Sequence, residues 1–227
     1  MMKNTLYATA LAAISLAAAA EDKSTISNSL EINGAARFAT GDFFDEEMES
    51  QRNASIDTYG IEATFVTPIT THHAFTMRVG YAYGDASPEI VNRWDGGINT
   101  ITFEHSLRSF YFTSGYRFTY ELAEDFSIYA GLNFGIINQA IRTKSRDYYA
   151  SGNTTYTSAI ADHTSEWGAL GTAELGFIID MTKNTYLQIG YEFSYNTAAP
   201  SFGDGEASIN TDEQCYHSLR IGVGFRF

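Results

Sequence analysis

Ser218-Leu219-Arg220-Ile221-Gly222-Val223-Gly224-Phe225-Arg226-Phe227 is the stretch whose reading decides the fold. Leu219, Ile221, Val223, Phe225 and Phe227 alternate strictly with Ser218, Arg220, Gly222, Gly224 and Arg226. A period of two puts every large apolar side chain on one face of a β-strand and the glycines and arginines on the other. The segment before it repeats the pattern, with Leu187, Ile189, Tyr191, Phe193 and Tyr195 set against Gln188, Gly190, Glu192 and Ser194.

The same alternation runs back through the chain. Leu175, Phe177 and Ile179 oppose Gly168, Thr172, Glu174 and Gly176 between Trp167 and Asp180. Phe126 to Asn138 and Leu107 to Tyr120 alternate likewise, and Leu30 to Phe38, Ser55 to Thr67 and Ala74 to Gly84 complete a set of eight. Ile101, Phe103, His105 and Leu107 have the opposite parity to Phe110, Phe112, Tyr116 and Phe118. A bulge or loop boundary is therefore predicted near Arg108.

Short and long connections take turns. Thr67 to His73, Glu121 to Asp125 and Asp180 to Asn184 are short, whereas residues 41–54, 85–100, 139–165 and 197–214 are long. Transmembrane barrels have short turns on one side and long loops on the other. The predicted fold is all-β, an eight-stranded antiparallel up-and-down transmembrane β-barrel over residues 21–227.

Lys3 followed by the Ala- and Leu-rich run from Leu6 to Ala20 reads as a signal peptide over residues 1–20, with small residues at Ala18-Ala19-Ala20 for cleavage. The run is too short to prefer spanning a bilayer. Export to the outer membrane of a Gram-negative-type cell is expected. Asp and Glu number 27 against 14 Lys and Arg, so no nucleic-acid partner is expected. Cys215 is the one cysteine, which excludes an intrachain disulfide.

A soluble lipocalin-like barrel would alternate too, but it would place Lys and Glu on its watery face. Here the small-residue face is Gly, Ser, Thr and Asn with a few charges of both signs, which suits a cramped polar lumen. The Phe and Tyr face suits lipid and its interfacial girdles. The terminal run Leu219 to Phe227 resembles the strand by which outer-membrane proteins are recognised by the barrel-assembly machinery. With the eight-strand layout, the chain resembles the OmpA-type, OmpX-like and opacity-type small barrels. That resemblance implies outer-membrane lipids, lipopolysaccharide and the assembly machinery as partners, and no cofactor.

Six charges fall on the small-residue face at middle depth: Arg37, Glu62, Arg78, Glu174, Glu192 and Arg220. Glu62 with Arg78 and Glu192 with Arg220 lie at similar heights on neighbouring strands, as cross-strand pairs require. Glu174 stands beside Glu192 and needs an arginine from across the lumen. A barrel this narrow is filled by side chains, so the network reads as a neutral plug rather than a pore. A narrow ion channel is the alternative.

His163-Thr164-Ser165-Glu166 is the nearest match to the lipid-facing His and Ser of a lipid A deacylase, but chance pairing explains it better. His105-Ser106 and His217-Ser218 point to opposite faces and make no dyad, and His72-His73 reads as a polar turn. Acidic residues crowd Asp42 to Glu49 and recur at Asp204, Glu206, Asp212 and Glu213. Residues 139–165 carry Arg142, Lys144 and Arg146 and enough β-formers to extend a hairpin beyond the membrane, where an open edge can take a partner's strand. The expected role is non-enzymatic, in envelope integrity, adhesion or recognition through the external loops.

Overall fold

A computed structural model describes residues 27–40, 56–86, 89–94, 97–151, 154–200 and 214–227. The signal peptide and the acidic stretches at 42–49 and 204–213 lie outside the described residues. Nine strands follow one another: β1 Ser29–Thr40, β2 Thr58–Pro68, β3 His73–Ala86, β4 Glu89–Trp94, β5 Gly97–Ala123, β6 Phe126–Ser151, β7 Thr154–Asp180, β8 Thr185–Asn196 and β9 Gln214–Arg226. Each pairs antiparallel with its neighbours, β1 with β9 and β3 with β5, so eight of them close a ring. β4 stands outside the ring and pairs with the upper part of β5.

Three tight turns, at 69–72, 124–125 and 181–184, lie at one end of the barrel, and Asn28 and Phe227 meet there through a backbone hydrogen bond of 3.0 Å. The long connections lie at the other, here called the loop end. The barrel is inside out relative to a soluble one. Ile32, Ile61, Phe112, Leu132, Phe134, Leu175, Leu219 and Ile221 are exposed, whereas four arginines and four glutamates are at most 4% exposed. Among the described residues no Asp, Glu, Lys or Arg faces outward in the middle of the wall. Water would not tolerate so continuous an apolar surface, and a hydrocarbon layer would.

The break predicted near Arg108 is absent. β5 pairs without a register shift from Ala86↔His105 to His73↔Phe118 with β3, and its one irregularity against β6 lies at Glu121/Ala123. His105 and Leu107 stay on the inward face with Ser109, Tyr111 and Thr113. The parity of the apolar residues changes because apolar side chains join the inward face toward the loop end, alongside the polar His105, Gln139 and Asn196. There Tyr111, Ile137, Leu170 and Ala198 pack together.

Two of the long connections prove to be largely sheet. β4 pairs with β5 from Glu89↔Thr102 to Trp94↔Gly97, so residues 85–100 hold a hairpin and not a loop. β6 and β7 pair to Ser151↔Thr154, which leaves two residues between them in place of a loop over residues 139–165. β5, β6 and β7 are 27, 26 and 27 residues long against 12, 11, 12 and 13 for β1, β2, β8 and β9. A membrane-crossing strand needs about 9–11 residues. One side of the barrel therefore carries a sheet, in the order β4-β5-β6-β7, that projects past the rest.

Lumen tyrosines fit only because glycines sit directly across from them. Gly80 is the cross-strand partner of Tyr111 and Gly224 that of Tyr186, and a Cβ built on either glycine would overlap the tyrosine ring. Replacing Gly80 with valine must push the Tyr111 ring off its seat, at a cost of about 1–3 kcal/mol for overpacking. Gly171→Ala, where the new Cβ meets the Phe134 ring at 3.7 Å, should be close to neutral. Urea unfolding of the two variants in lipid vesicles, read by gel mobility without boiling, tests the contrast.

Candidate functional site

Two features of the barrel are candidates for function: the charged lumen and the projecting sheet. Each depends on strand parity, because inward positions come from alternate residues of every strand.

The lumen is built in layers. Nearest the turn end, Arg117 of β5 reaches Glu31 of β1 across the barrel with two bonds of 2.5 and 3.0 Å. Tyr186 donates to the same carboxylate at 2.8 Å, and the Gln188 amide satisfies both of its neighbours when its nitrogen faces Glu31 and its oxygen accepts from Tyr129 at 2.7 Å. The Arg117 guanidinium lies over the Tyr129 ring at 4.6 Å.

Above it sits a cluster of five. Glu174 and Glu192 are direct cross-strand partners on β7 and β8, a like-charge arrangement that would be repulsive alone. Arg78 comes from β3 on the far wall and bonds both, at 2.6 Å to Glu174 and still closer to Glu192. Arg220 of β9 donates to Glu62 at 2.7 Å and also bonds Glu174. Arg117 approaches Glu174 at 3.5 Å, which ties the lower layer to the cluster.

The pairs expected between neighbouring strands are therefore the looser ones. Glu62 and Arg78 are 3.9 Å apart, and Glu192 and Arg220 3.7 Å. An arginine side chain is long enough to cross so narrow a lumen, and its planar fork serves two carboxylates at once. The arginine that Glu174 required from across the lumen is Arg78.

Arg37 lies higher and apart from the ion pairs. It donates to Ser194 at 3.2 Å and its guanidinium is sandwiched between the rings of Tyr111 and Tyr216, at 5.2 and 4.9 Å. Tyr111 in turn donates to Glu62 at 2.6 Å. With Glu31 and Arg117 added to the six residues read from sequence, the lumen holds four arginines and four glutamates. Both additions obey the same parity on β1 and β5 and were missed because only middle depth was considered.

Toward the loop end the inward side chains of Tyr111, Ile137, Leu170 and Ala198 pack together, and Leu107, Ile141 and Ile56 are buried at the same end beside the polar His105, Gln139, Asn196 and Gln214. A hydrated ion crossing from one side to the other would meet the bonded ion cluster.

The remaining candidates are placed as follows. His163 and Ser165 lie within β7, not at the end of a loop, and both are exposed. His105 is buried while Ser106 is not, and Ser218 is buried while His217 packs outside against Phe193 and hydrogen-bonds Tyr191, so neither adjacent pair forms a dyad. His72 stacks on Tyr120, with Nδ1 3.1 Å from the Thr119 carbonyl, and His73 hydrogen-bonds Tyr116. Both histidines belong to an aromatic girdle at the turn end. On β9, Leu219, Ile221, Phe225 and Phe227 are exposed and Val223 partly so, all on the outward face.

No family model matches the chain, and no curated protein matches it. Among solved structures it is similar to Ail, the attachment invasion locus protein of Yersinia pestis, with 13% identity, a TM-score of 0.46 and coverage of 89% of this chain and 99% of that one. It is also similar to a major outer membrane protein from Thermus thermophilus, at 12% identity and a TM-score of 0.46 over 88% and 99% of the two chains. Neisserial surface protein A gives 11%, 0.45, 88% and 97%.

A buried pair broken on one side leaves an uncompensated charge, which costs about 3–5 kcal/mol. Arg117→Met should lower stability by that amount, because Glu31 keeps only neutral donors. Adding Glu31→Gln to it should recover at least half of the loss. Urea midpoints of the single and double variants, followed by Trp fluorescence in lipid vesicles, give the coupling directly.

Proposed function

We propose that this protein is a non-enzymatic outer-membrane barrel that anchors a projecting recognition sheet at the cell surface. The observation that carries the reading is the lumen. Four arginines and four glutamates packed inside an eight-strand ring make the barrel an anchor rather than a passage.

The outward apolar wall supports placement in the outer membrane, and an exported chain reaches that membrane from the side where the tight turns would sit. Lipids and lipopolysaccharide are then its immediate surroundings. The alternating outward face from Leu219 to Phe227 on β9 supports recognition by the barrel-assembly machinery during insertion.

The projecting sheet supports a role in adhesion or surface recognition. Among the described residues β7 pairs with β8 only from Leu170 onward, apart from one backbone bond of Thr197 to Ala169, so its outer part pairs with β6 alone. Such an edge can accept an added strand from a protein ligand. The surface ligand is assigned to residues 139–165, of which Gln139 and Ile141 also belong to the lumen.

Deleting residues 143–162 and joining the strands by a two-residue turn spares those lumen side chains. The shortened protein should keep its heat-modifiable mobility and its place in the outer-membrane fraction, and should lose binding to host or neighbouring cell surfaces. Unchanged binding would overturn the assignment. In planar bilayers the intact protein should show no discrete conductance, and a conductance that changes on Glu192→Gln would favour the narrow ion channel instead.

A further inference from the structure

The cations that the lumen does not use are unevenly placed. In a chain of net charge −13, Arg93, Arg108, Arg142, Lys144 and Arg146 all fall on β4, β5 and β6, in the projecting sheet or at its base. Among the described residues, Lys183 and Arg226 are at the turn end and no other Lys or Arg lies outside the lumen. Among the described residues the loop ends of β1, β2, β8 and β9 carry none besides the lumen's Arg37.

Arg108 and Arg142 are both exposed on the outward face of the wall. Arg108 is opposite Ala140 and Arg142 is opposite Ser106, so the two arginines are diagonal neighbours, about 7–8 Å apart at the backbone. Arg142 is also opposite His163, which is exposed on β7. Lys144 and Arg146 take the next two alternate positions of β6, Lys144 being opposite Glu104. On the β3 side the patch is bounded by Tyr83, whose ring lies 6.0 Å from the Arg108 guanidinium and whose hydroxyl donates to Asp85.

Height decides what such a patch meets. Trp167, 59% exposed, is opposite Asn138 at the upper rim of the apolar wall, where an indole marks the membrane interface. Arg108 is two residues beyond that level and Arg142 four beyond. At about 3.3 Å per residue and a tilt of about 40°, they stand about 5 and about 10 Å above the tryptophan. The polar layer of a leaflet is about 5–8 Å deep. Arg108 therefore falls within that layer and Arg142 just above it, where its long side chain can reach back to the headgroups; both point outward from the wall, beside the barrel and not over its mouth.

We propose that Arg108 and Arg142 form a one-sided binding site for the phosphate of a lipid headgroup in the surrounding leaflet, with His163 at its margin. Two guanidiniums at diagonal positions suit the oxygens of one phosphoryl group or of two on a bisphosphorylated headgroup. A lipid held there fixes which side of the barrel the projecting sheet leans over. The inference rests on the outer-membrane placement proposed above.

The test uses the whole protein in phosphatidylcholine nanodiscs containing a small fraction of bisphosphorylated lipid A, with native mass spectrometry of the lipids retained after detergent release. The wild type should retain lipid A over phosphatidylcholine. The Arg108→Gln/Arg142→Gln variant should retain it at least fivefold less, Arg108→Lys/Arg142→Lys should keep most of it, and Lys183→Gln at the opposite end should match the wild type. Heat-modifiable mobility confirms that each variant is folded.

Equal retention by the double Gln variant would overturn the proposal, as would equal retention of lipid A stripped of its phosphates. Competition by inorganic phosphate at the same concentration as the lipid would show a site for soluble anions and overturn it too. A protein that enters no nanodisc would overturn the membrane placement itself, an outcome distinct from insertion without phosphate preference.

Discussion

Glu174 and Glu192 face each other on adjacent strands in the middle of the lumen, and the structure depends on how that repulsion is resolved. Neither carboxylate can be left in so narrow and water-poor a space without a cation. Arg78 resolves it from the opposite wall, and Arg220 and Arg117 complete the shell around Glu174. These contacts join β3 and β5 to β7, β8 and β9, across the barrel and between the two halves of the chain. They exist only when the ring is closed in its proper register. A slip of any one of these strands by one residue would turn its charge outward and leave its partners unpaired.

The consequence is a barrel whose specificity and whose solubility in lipid come from opposite faces. The apolar wall is nonspecific, since leucine, isoleucine and phenylalanine serve equally well against hydrocarbon. The lumen is where identity matters, because a buried charge without its partner is costly and a correctly placed one is not. Tyrosine lying over glycine does the same for volume: Tyr111 over Gly80 and Tyr186 over Gly224 fill space that a pair of medium-sized residues would leave uneven. The bonded ionic cluster and the lumen tyrosines together fill the middle of the barrel with side chains.

Much of this was legible in alternation alone. The parity of Arg37, Glu62, Arg78, Glu174, Glu192 and Arg220 placed them inside, and their balance of sign pointed to a plug. Partner choice was not legible, because sequence spacing shows neighbours around the ring and an arginine chooses across it. The same limit affected Leu107. An apolar residue on the polar face reads as a break in the strand, whereas Leu107 is buried on the inward face opposite the equally buried Ile141 of β6, a pairing visible only once the register is known. The hairpin over residues 89–102 was readable in principle. Asp95-Gly96 is a strong two-residue hairpin signal, and Gly152-Asn153, between β6 and β7, is a second.

The long strands are consecutive, and that has a mechanical meaning. β5, β6 and β7 leave the ring as one sheet because each continues to hydrogen-bond the next, so the projection inherits the rigidity and tilt of the wall below it. A loop of the same length would have to be ordered by its ligand, at an entropic cost for each residue fixed. A sheet already ordered presents its edge and its faces at no such cost. The cations follow the same geometry, since alternation along β5 and β6 places Arg108 and Arg142 on the lipid side of the one wall that continues outward. A membrane anchor needs no such asymmetry, and a surface that must be presented in one orientation does.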